Sequence, residues 1–297
     1  RPILSRILGG MKFVDAALVL EGGGLRGIFS AGVLRRFMDD KLYCDYVIGV
    51  SMGACSAANY VSRQPERNRI VNTRFLRDRR YLSYARLLAG GDLFGMDFIF
   101  REIPHRLVPF DFDTFYASPV HLVTVATDCV TGEAVYYEKS DLGPEYLTVL
   151  KASSSLPFIA RPVTFRGRTL MDGGLADSVP VRKAVADGRE KRIVVLTRPK
   201  GYRKKASRMP AVLLRRYRRF PGMLDAMSSR HRVYNETMDY IDELEEGGEA
   251  FVIRPDGEPA AERVEKDKDK VYLTYDEGYD TASRLFPRLR AYLGGID

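Results

Sequence analysis

Four strong apolar runs stand out along the chain, 16–20, 46–50, 121–126 and 193–197. Runs of that length and composition predict buried strands, and the segments between them carry helical spacing. Strands alternating with helices predict an α/β fold, with a mostly parallel central sheet and helices on both faces. Thr131-Gly132-Glu133 ahead of 134–137, and Phe165-Arg166-Gly167-Arg168, read as hairpin turns that add antiparallel edges. Leu224, Met227, His231, Tyr234, Met238 and Ile241 step by three and four, which predicts one helix over 222–246. The charged stretch 258–270 reads as a loop. A terminal helix over 276–293 is expected to kink near Phe286, because Pro287 removes a helix hydrogen bond. The insert 62–118, rich in arginine and aromatics, shows no clear periodicity, and insertions of this kind often cover a site. No internal repeat is visible.

Composition narrows the class. The 297 residues suffice for one large α/β domain or two small ones, and 45% hydrophobic with 29% charged residues excludes a collagen-like or largely disordered chain. Three cysteines, Cys44, Cys55 and Cys129, without C-x-x-C spacing argue against a disulfide framework or a cysteine zinc site and fit a reducing compartment. No apolar run approaches the roughly 18 residues of a spanning helix, and residues 1–12 lack a signal-peptide core. The expectation is a cytoplasmic protein, at most bound at a membrane surface. A net charge of +8 leans toward acidic partners such as nucleic acid or anionic lipid.

Two glycine motifs follow the first two strands. Glu21-Gly22-Gly23-Gly24-Leu25-Arg26-Gly27 opens a helix near Ile28, where converging backbone N–H groups and the helix dipole favour an anion. Gly22, Gly24 and Gly27 also satisfy the dinucleotide fingerprint G-x-G-x-x-G, so an NAD(P)-binding oxidoreductase is a rival reading. That reading wants an acidic residue at the end of the second strand. Here the strand ends at Val50-Ser51, and Asp39, Asp40 and Asp45 come before it. Gly49-Val50-Ser51-Met52-Gly53, between a strand and a small-residue helix over 54–60, matches the nucleophile elbow G-x-S-x-G. Its glycines permit a strained turn with Ser51 at the tip.

A serine hydroxyl needs a base. The chain has three histidines. Ser51, Asp172 and His231 would formally fit the hydrolase order, but His231 falls on the apolar face of a helix, and His105 and His121 lack elbow-like settings. Asp172, in Leu170-Met171-Asp172-Gly173-Gly174-Leu175, follows an apolar run and precedes two glycines, and is the strongest base candidate. It would need burial to raise its basicity above the ordinary carboxylate range.

Glu-Gly-Gly-Gly-Leu-Arg-Gly, Gly-Val-Ser-Met-Gly and Asp-Gly-Gly, in this order and strand context, resemble the patatin-like phospholipase family over about 14–197. The resemblance implies a catalytic core over 14–197 containing the insert 62–118; residues 198–297 lie beyond it and are expected to form a helical extension packed on that core within one domain. It implies Ser51 as nucleophile, Asp172 as its dyad partner, and the N–H groups around Gly22, Gly23, Gly24 and Leu25 as the oxyanion hole. Arg26, Gly27, Gly49, Gly53, Gly173 and Gly174 would support them. The stretch Ala152 to Phe158 echoes the family, whereas Ser178-Val179-Pro180 stands where the family shows an asparagine shortly before a proline. The implied activity is lipid acyl hydrolysis of the phospholipase A or lysophospholipase type, without metal or cofactor. A non-catalytic basic lipid- or nucleic-acid-binding module is the other alternative, although no nucleic-acid motif is present and no such partner is expected.

One basic stretch stands apart. Residues 200–220 carry Lys200, Arg203, Lys204, Lys205, Arg208, Arg215, Arg216, Arg218 and Arg219 and no acid, interleaved with Tyr202, Met209, Val212, Leu213, Leu214, Tyr217 and Phe220. Arg215, Arg216, Arg218 and Arg219 are candidate contacts to an anionic membrane. The competing reading is a solvated basic segment neutralised by the acidic run 236–249.

Overall fold

The computed structural model describes residues 6–8, 11–206 and 209–295; Arg208, the side chain of Leu213, and residues 1–5 and 9–10 of the N-terminal stretch lie outside them. In chain order the elements begin β1 (Arg6–Leu8), β2 (Met11–Leu20), α1 (Ile28–Asp39), β3 (Leu42–Val50) and α2 (Met52–Val61). The insert follows as α3 (Arg67–Arg74), α4 (Tyr84–Leu88), a π-helical segment Phe98–Leu107 and α5 (Phe112–Ala117). Next come β4 (His121–Asp128), β5 (Ala134–Glu138), α6 (Tyr146–Ser153), β6 (Val163–Phe165), β7 (Arg168–Asp172), α7 (Val181–Ala186) and β8 (Arg192–Val195). The chain closes with α8 (Ala211–Arg216), α9 (Pro221–Glu246), β9 (Ala250–Ile253) and α10 (Lys268–Tyr292).

One nine-stranded sheet organises these elements in the order β6-β7-β4-β3-β2-β8-β9, with β1 paired to β2 and β5 to β4. Strands β4, β3, β2, β8 and β9 run parallel, β9 forming one edge, while β7, β6, β5 and β1 add antiparallel pairings. Both expected hairpins form. Gly132 (φ 78°) turns β4 into β5, and Arg166 (φ 45°) with Gly167 (φ 78°) makes the two-residue turn between β6 and β7. Because β3 starts at Leu42, Asp45 lies within the strand rather than ahead of it.

Period-two alternation divides the core. Ala16, Leu18 and Leu20 of β2 face α1, α2, α6 and the end of α10, whereas Ala17 and Val19 face α7 and α9. Residues of the insert, Phe75, Tyr81, Phe98 and Ile103, form a separate apolar cluster with Leu25 and Ile28, so the insert covers the glycine turn after β2.

The C-terminal third is more than a helical extension. It adds β9 to the sheet beside β8, sends α9 to one face and α10 to the other, and α10 begins at Lys268 rather than Asp276. Asp267 caps this helix by accepting from Asp269 N–H, and the helix runs on through Pro287, with Phe286 and Leu289 buried in the core. Helices α1 and α10 approach through glycines. A Cβ on Gly32 would lie 2.0 Å from the Tyr275 carbonyl oxygen, and one on Gly278 would lie 2.1 Å from that of Phe29.

Helix propensity alone would favour alanine at both glycines by about 1 kcal/mol, but the clash is with backbone. Gly32→Ala and Gly278→Ala are each expected to destabilise the protein by about 1–3 kcal/mol net, the usual cost of overpacking. A urea denaturation midpoint that falls without a change in slope is the expected reading. An unchanged or higher midpoint would show that the two helices separate freely.

Candidate active site

Ser51 lies between β3 and α2, capping the helix, with φ 55° and ψ −123°. Non-glycine residues avoid such backbone at a cost of order 1–3 kcal/mol, so the surroundings must hold it. The flanking glycines are demanded by contact. A Cβ on Gly49 would lie 2.8 Å from Ala54 N, and one on Gly53 would lie 2.6 Å from the Glu21 carbonyl oxygen. Ser153, at the end of α6, is a fixing point: its Oγ accepts from Ser51 N–H at 2.9 Å and donates to the Val125 carbonyl at 2.6 Å.

The glycine turn after β2 abuts this elbow. Ideal Cβ positions on Gly22 and Gly27 fall 3.2 Å from Ser51 Cβ and 2.7 Å from Met52 Cγ. Among the four expected oxyanion donors, two are already engaged: Gly22 N–H donates to Ser178 at 3.2 Å and Leu25 N–H to Arg263 at 3.1 Å. Gly23 and Gly24 have no backbone acceptor among the described residues. The same commitments disfavour a pyrophosphate cradle, and β3 ends without the carboxylate a dinucleotide ribose would need.

Asp172 ends β7, beside β4, and is 2% exposed. Its carbonyl accepts from Thr127 Oγ1 at 2.9 Å, its N–H donates to Ser155 at 2.9 Å, and its Oδ1 accepts from Gly174 N–H at 2.8 Å. Gly173 must be glycine, since a Cβ there would lie 2.3 Å from the Val125 carbonyl oxygen. Burial pushes the Asp172 carboxyl above its ordinary range, opposed by hydrogen bonding from Ser51 and Gly174 and by the charges of Arg230 and Arg263. Ser51 thus acts on the carboxyl as a hydrogen-bonding neighbour, yet Oδ2 is buried without a bond of ordinary geometry.

No histidine joins the pair among the described residues. His231, within α9, contacts the Ser228 carbonyl at 3.1 Å; His121 faces Glu138 at 3.1 Å; His105 stacks on Phe112 with centroids 5.1 Å apart. Nor do the described residues contain a group of three His, Cys, Asp or Glu able to hold a metal.

A cavity of about 120 Å³ has Ser51 and Gly24 in its wall. Its lining is mainly apolar, including Met52, Ala58, Val71, Phe94, Ile99 and Leu150, so the insert supplies one side and α6 another. Cys55 also borders it, but burial pushes that thiol up to about 11, which keeps it protonated and poorly nucleophilic. Glu21, at the start of the glycine turn, is buried, accepting from Thr197 N–H at 2.6 Å, Thr197 Oγ1 at 3.0 Å and Tyr234 OH at 3.1 Å. Ser178 donates to the Gly174 carbonyl at 2.8 Å and so ties the Asp-Gly-Gly turn to the glycine turn.

The basic segment divides. Tyr217 and Phe220 are buried against Met171, Leu175 and Met223, so they anchor α8 instead of meeting lipid. Tyr202 packs against Tyr234, and Lys204 turns toward the site. Arg215, Arg216, Arg218 and Arg219 remain exposed beside Val212 and Leu214. Among the described residues the acidic run does not pair with them: Asp239 and Asp242 pair with Arg203, and Glu245 with Arg254.

With this geometry in hand, comparison with known proteins places the chain. The family described as Patatin-like phospholipase matches residues 18–185, and a domain of unknown function, DUF6363, matches 220–294. The uncharacterized protein YjjU of Escherichia coli is 31% identical over 196 residues, 62% of this chain and 52% of that protein. An uncharacterized NTE family protein of Mycobacterium tuberculosis is 26% identical over 182 residues, 57% of this chain and 28% of that one. The matched stretch therefore spans about half or less of these relatives. The crystal structure of VipD from Legionella pneumophila overlies with a TM-score of 0.46 at 14% identity, covering 97% of this chain and 70% of that one.

A buried carboxyl whose folded pKa is raised favours folding below its unfolded pKa and loses that contribution as pH rises through the folded value. Near neutrality ionised Asp172 is therefore a liability to stability. Asp172→Asn keeps an acceptor for Gly174 N–H, and is expected to raise the melting temperature near neutral pH by an amount that fades as pH falls toward 3.8, the ordinary value. A melting temperature lowered by the substitution at neutral pH would contradict this assignment of Asp172's environment.

Proposed function

Because the chain belongs to the patatin-like phospholipase family, we propose that it is a serine acyl hydrolase of lipid carboxylic esters, acting through Ser51 and Asp172. The observation that carries this reading is the meeting of a strained, buried serine with the free oxygen of a buried carboxylate beside a turn with two available N–H groups.

In the proposed reaction Ser51 Oγ attacks the ester carbonyl carbon while its proton passes to Asp172 Oδ2. Gly23 and Gly24 N–H groups receive the oxyanion, and the N-terminus of α2 adds a favourable dipole. Collapse expels the alcohol, which takes the proton from Asp172. Water then attacks the acyl-serine, gives its proton to Asp172, and releases the acid as the proton returns to Ser51. Desolvation makes Asp172 a stronger base than a solvated carboxylate, and a positioned base is typically worth about 10²–10⁴ in rate. The largely apolar cavity suits an acyl chain, which gives it its place in the scheme.

Exposed Val212 and Leu214 beside Arg215, Arg216, Arg218 and Arg219 suit peripheral contact with an anionic bilayer. Among the described residues no helix is long and apolar enough to cross a membrane.

Ser51→Ala and Asp172→Asn should each abolish hydrolysis of a short aryl ester, and the double variant should be no worse than either, since members of one catalytic unit do not add. Gly24 has φ +59° and its Cβ would lie 2.5 Å from the Arg263 carbonyl oxygen. Gly24→Ala should thus displace one donor and lower kcat about 10²–10³-fold. Retained turnover in Asp172→Asn, or an equally inactive but folded His231→Ala, would overturn the dyad.

Vesicle sedimentation checks the membrane reading. Anionic vesicles should bind more than zwitterionic ones, at about 1 kcal/mol per basic residue before screening by salt. Replacing Arg215, Arg216, Arg218 and Arg219 by glutamine should weaken that binding; an unaltered bound fraction would rule the surface out.

A further inference from the structure

The C-terminal third, including the stretch matched by the domain of unknown function, brings three cations to the reaction centre. Arg230, on α9, donates through Nε to the Gly174 carbonyl, and its Nη2 lies 3.5 Å from the position a Gly174 Cβ would take. Lys204 is clamped by Asn235, whose Oδ1 accepts from its N–H at 2.8 Å and whose Nδ2 donates to its carbonyl at 3.0 Å. Its Nζ reaches Ser178 Oγ at 3.3 Å and lies 3.4 Å from the Tyr234 ring centroid. Arg263 borders the cavity that holds Ser51, with its own carbonyl on Leu25 N–H. Arg26 joins from the glycine turn, its Nε buried and without a partner among the described residues.

These charges are near enough to act on one another. Burial, and then Arg230, Arg263 and Arg26 among others, hold Lys204 well below the ordinary ammonium range; burial and then Arg263 lower Arg230; burial, Arg198 and Arg263 bring Arg26 down to about 10. Among the described residues none of Arg26, Lys204, Arg230 or Arg263 forms an ion pair; Glu21 opposes the lowering of Arg26, Lys204 and Arg230, and Asp172 that of Arg230, without coming into ion-pair contact. Both oxygens of Glu21 are occupied by Thr197 and Tyr234. Clustered, partly desolvated like charges are costly unless an anion joins them.

We propose that Lys204, Arg230 and Arg263, with Arg26, form a phosphate site beside Ser51, and that it selects esters whose head group carries phosphate without a balancing amine. The four side chains offer more donors than a carboxylate's two oxygens can take, whereas a phosphate presents three strong acceptor oxygens and suits arginine's planar fork. An ammonium head group would meet the same field, in which Glu21 is fully hydrogen-bonded and Asp172 serves Ser51 as the proposed base. The choice of substrate rests on the hydrolase reading above; the phosphate site does not.

Inorganic phosphate is the first probe. It should raise the melting temperature of the parent protein and of Ser51→Ala in a saturable manner, beyond chloride at equal ionic strength, and fail to do so in Lys204→Gln/Arg230→Gln/Arg263→Gln. Should that triple variant not fold, Arg230→Gln alone and Lys204→Arg/Arg230→Lys/Arg263→Lys replace it, the first losing the shift and the second keeping most of it. No shift in the parent, or an equal shift in a glutamine variant, overturns the site. The second probe is hydrolysis of lysophosphatidate, lysophosphatidylcholine and monoacylglycerol with one acyl chain. The parent's kcat/KM should favour lysophosphatidate by about tenfold or more, the ratio that ~1.4 kcal/mol gives, and the glutamine variant should largely lose that ratio. Phosphate binding without any such preference would assign the site to free phosphate and overturn its role in head-group selection. A saturable shift in a protein that hydrolyses no ester would overturn the hydrolase reading and leave the phosphate site standing.

Discussion

Presenting Ser51 requires the backbone at one residue to remain where an L-amino acid disfavours it, and much of the surrounding structure can be understood as what holds it there. Strands β2 and β4 flank β3 in parallel register as far as Gly49 and Val50. Helix α2 begins immediately beyond the serine, and Ser153 Oγ accepts from the Ser51 N–H and donates to the Val125 carbonyl of β4. The glycines at 49 and 53 are there because backbone occupies the space a side chain would need. A strain of order 1–3 kcal/mol persists only in so heavily determined a setting.

The second constraint is a charge in an apolar place. Burial raises Asp172, and the hydrogen bonds from Ser51 and Gly174 and the fields of Arg230 and Arg263 limit that rise. The balance leaves a carboxyl more basic than one in water, the direction that suits the proposed role of proton acceptor. Arg230 and Arg263 come from the C-terminal third. That region is joined to the core by β9 and by the glycine-to-glycine approach of α1 and α10, so the setting of the candidate base depends on the whole chain.

How much could be read without coordinates follows from how local each signal is. The β2, β3, β4 and β8 runs, both hairpins and the long α9 helix depend on period, turn chemistry and nearest neighbours, and they were legible. So were Ser51 and Asp172 as a pair worth testing, because each sits in a glycine setting with a steric meaning. Ser153 is legible only as part of the family-like stretch 152–158, since its hydrogen bond to a residue far away in sequence leaves no local trace. Lys204 appeared as one more cation in a basic run, and Arg230 and Arg263 carried no signal at all. Their convergence is a product of packing between α9, the loop before α10 and the glycine turn. Gly22 and Leu25 looked equivalent to Gly23 and Gly24 until the carbonyls of Ser178 and Arg263 were seen to occupy them. Tyr217 and Phe220 looked like interfacial residues for the same reason: alternation of cations and apolar groups does not say which side faces the core.

The most direct test of the central claim is covalent capture of the nucleophile. The protein is treated with a fluorophosphonate, digested, and mapped by mass spectrometry, with Asp172→Asn alongside. The account predicts a single adduct on Ser51, formed far more slowly when Asp172 is asparagine. An adduct on another residue, or ester hydrolysis that continues with Ser51 unmodified, would contradict it.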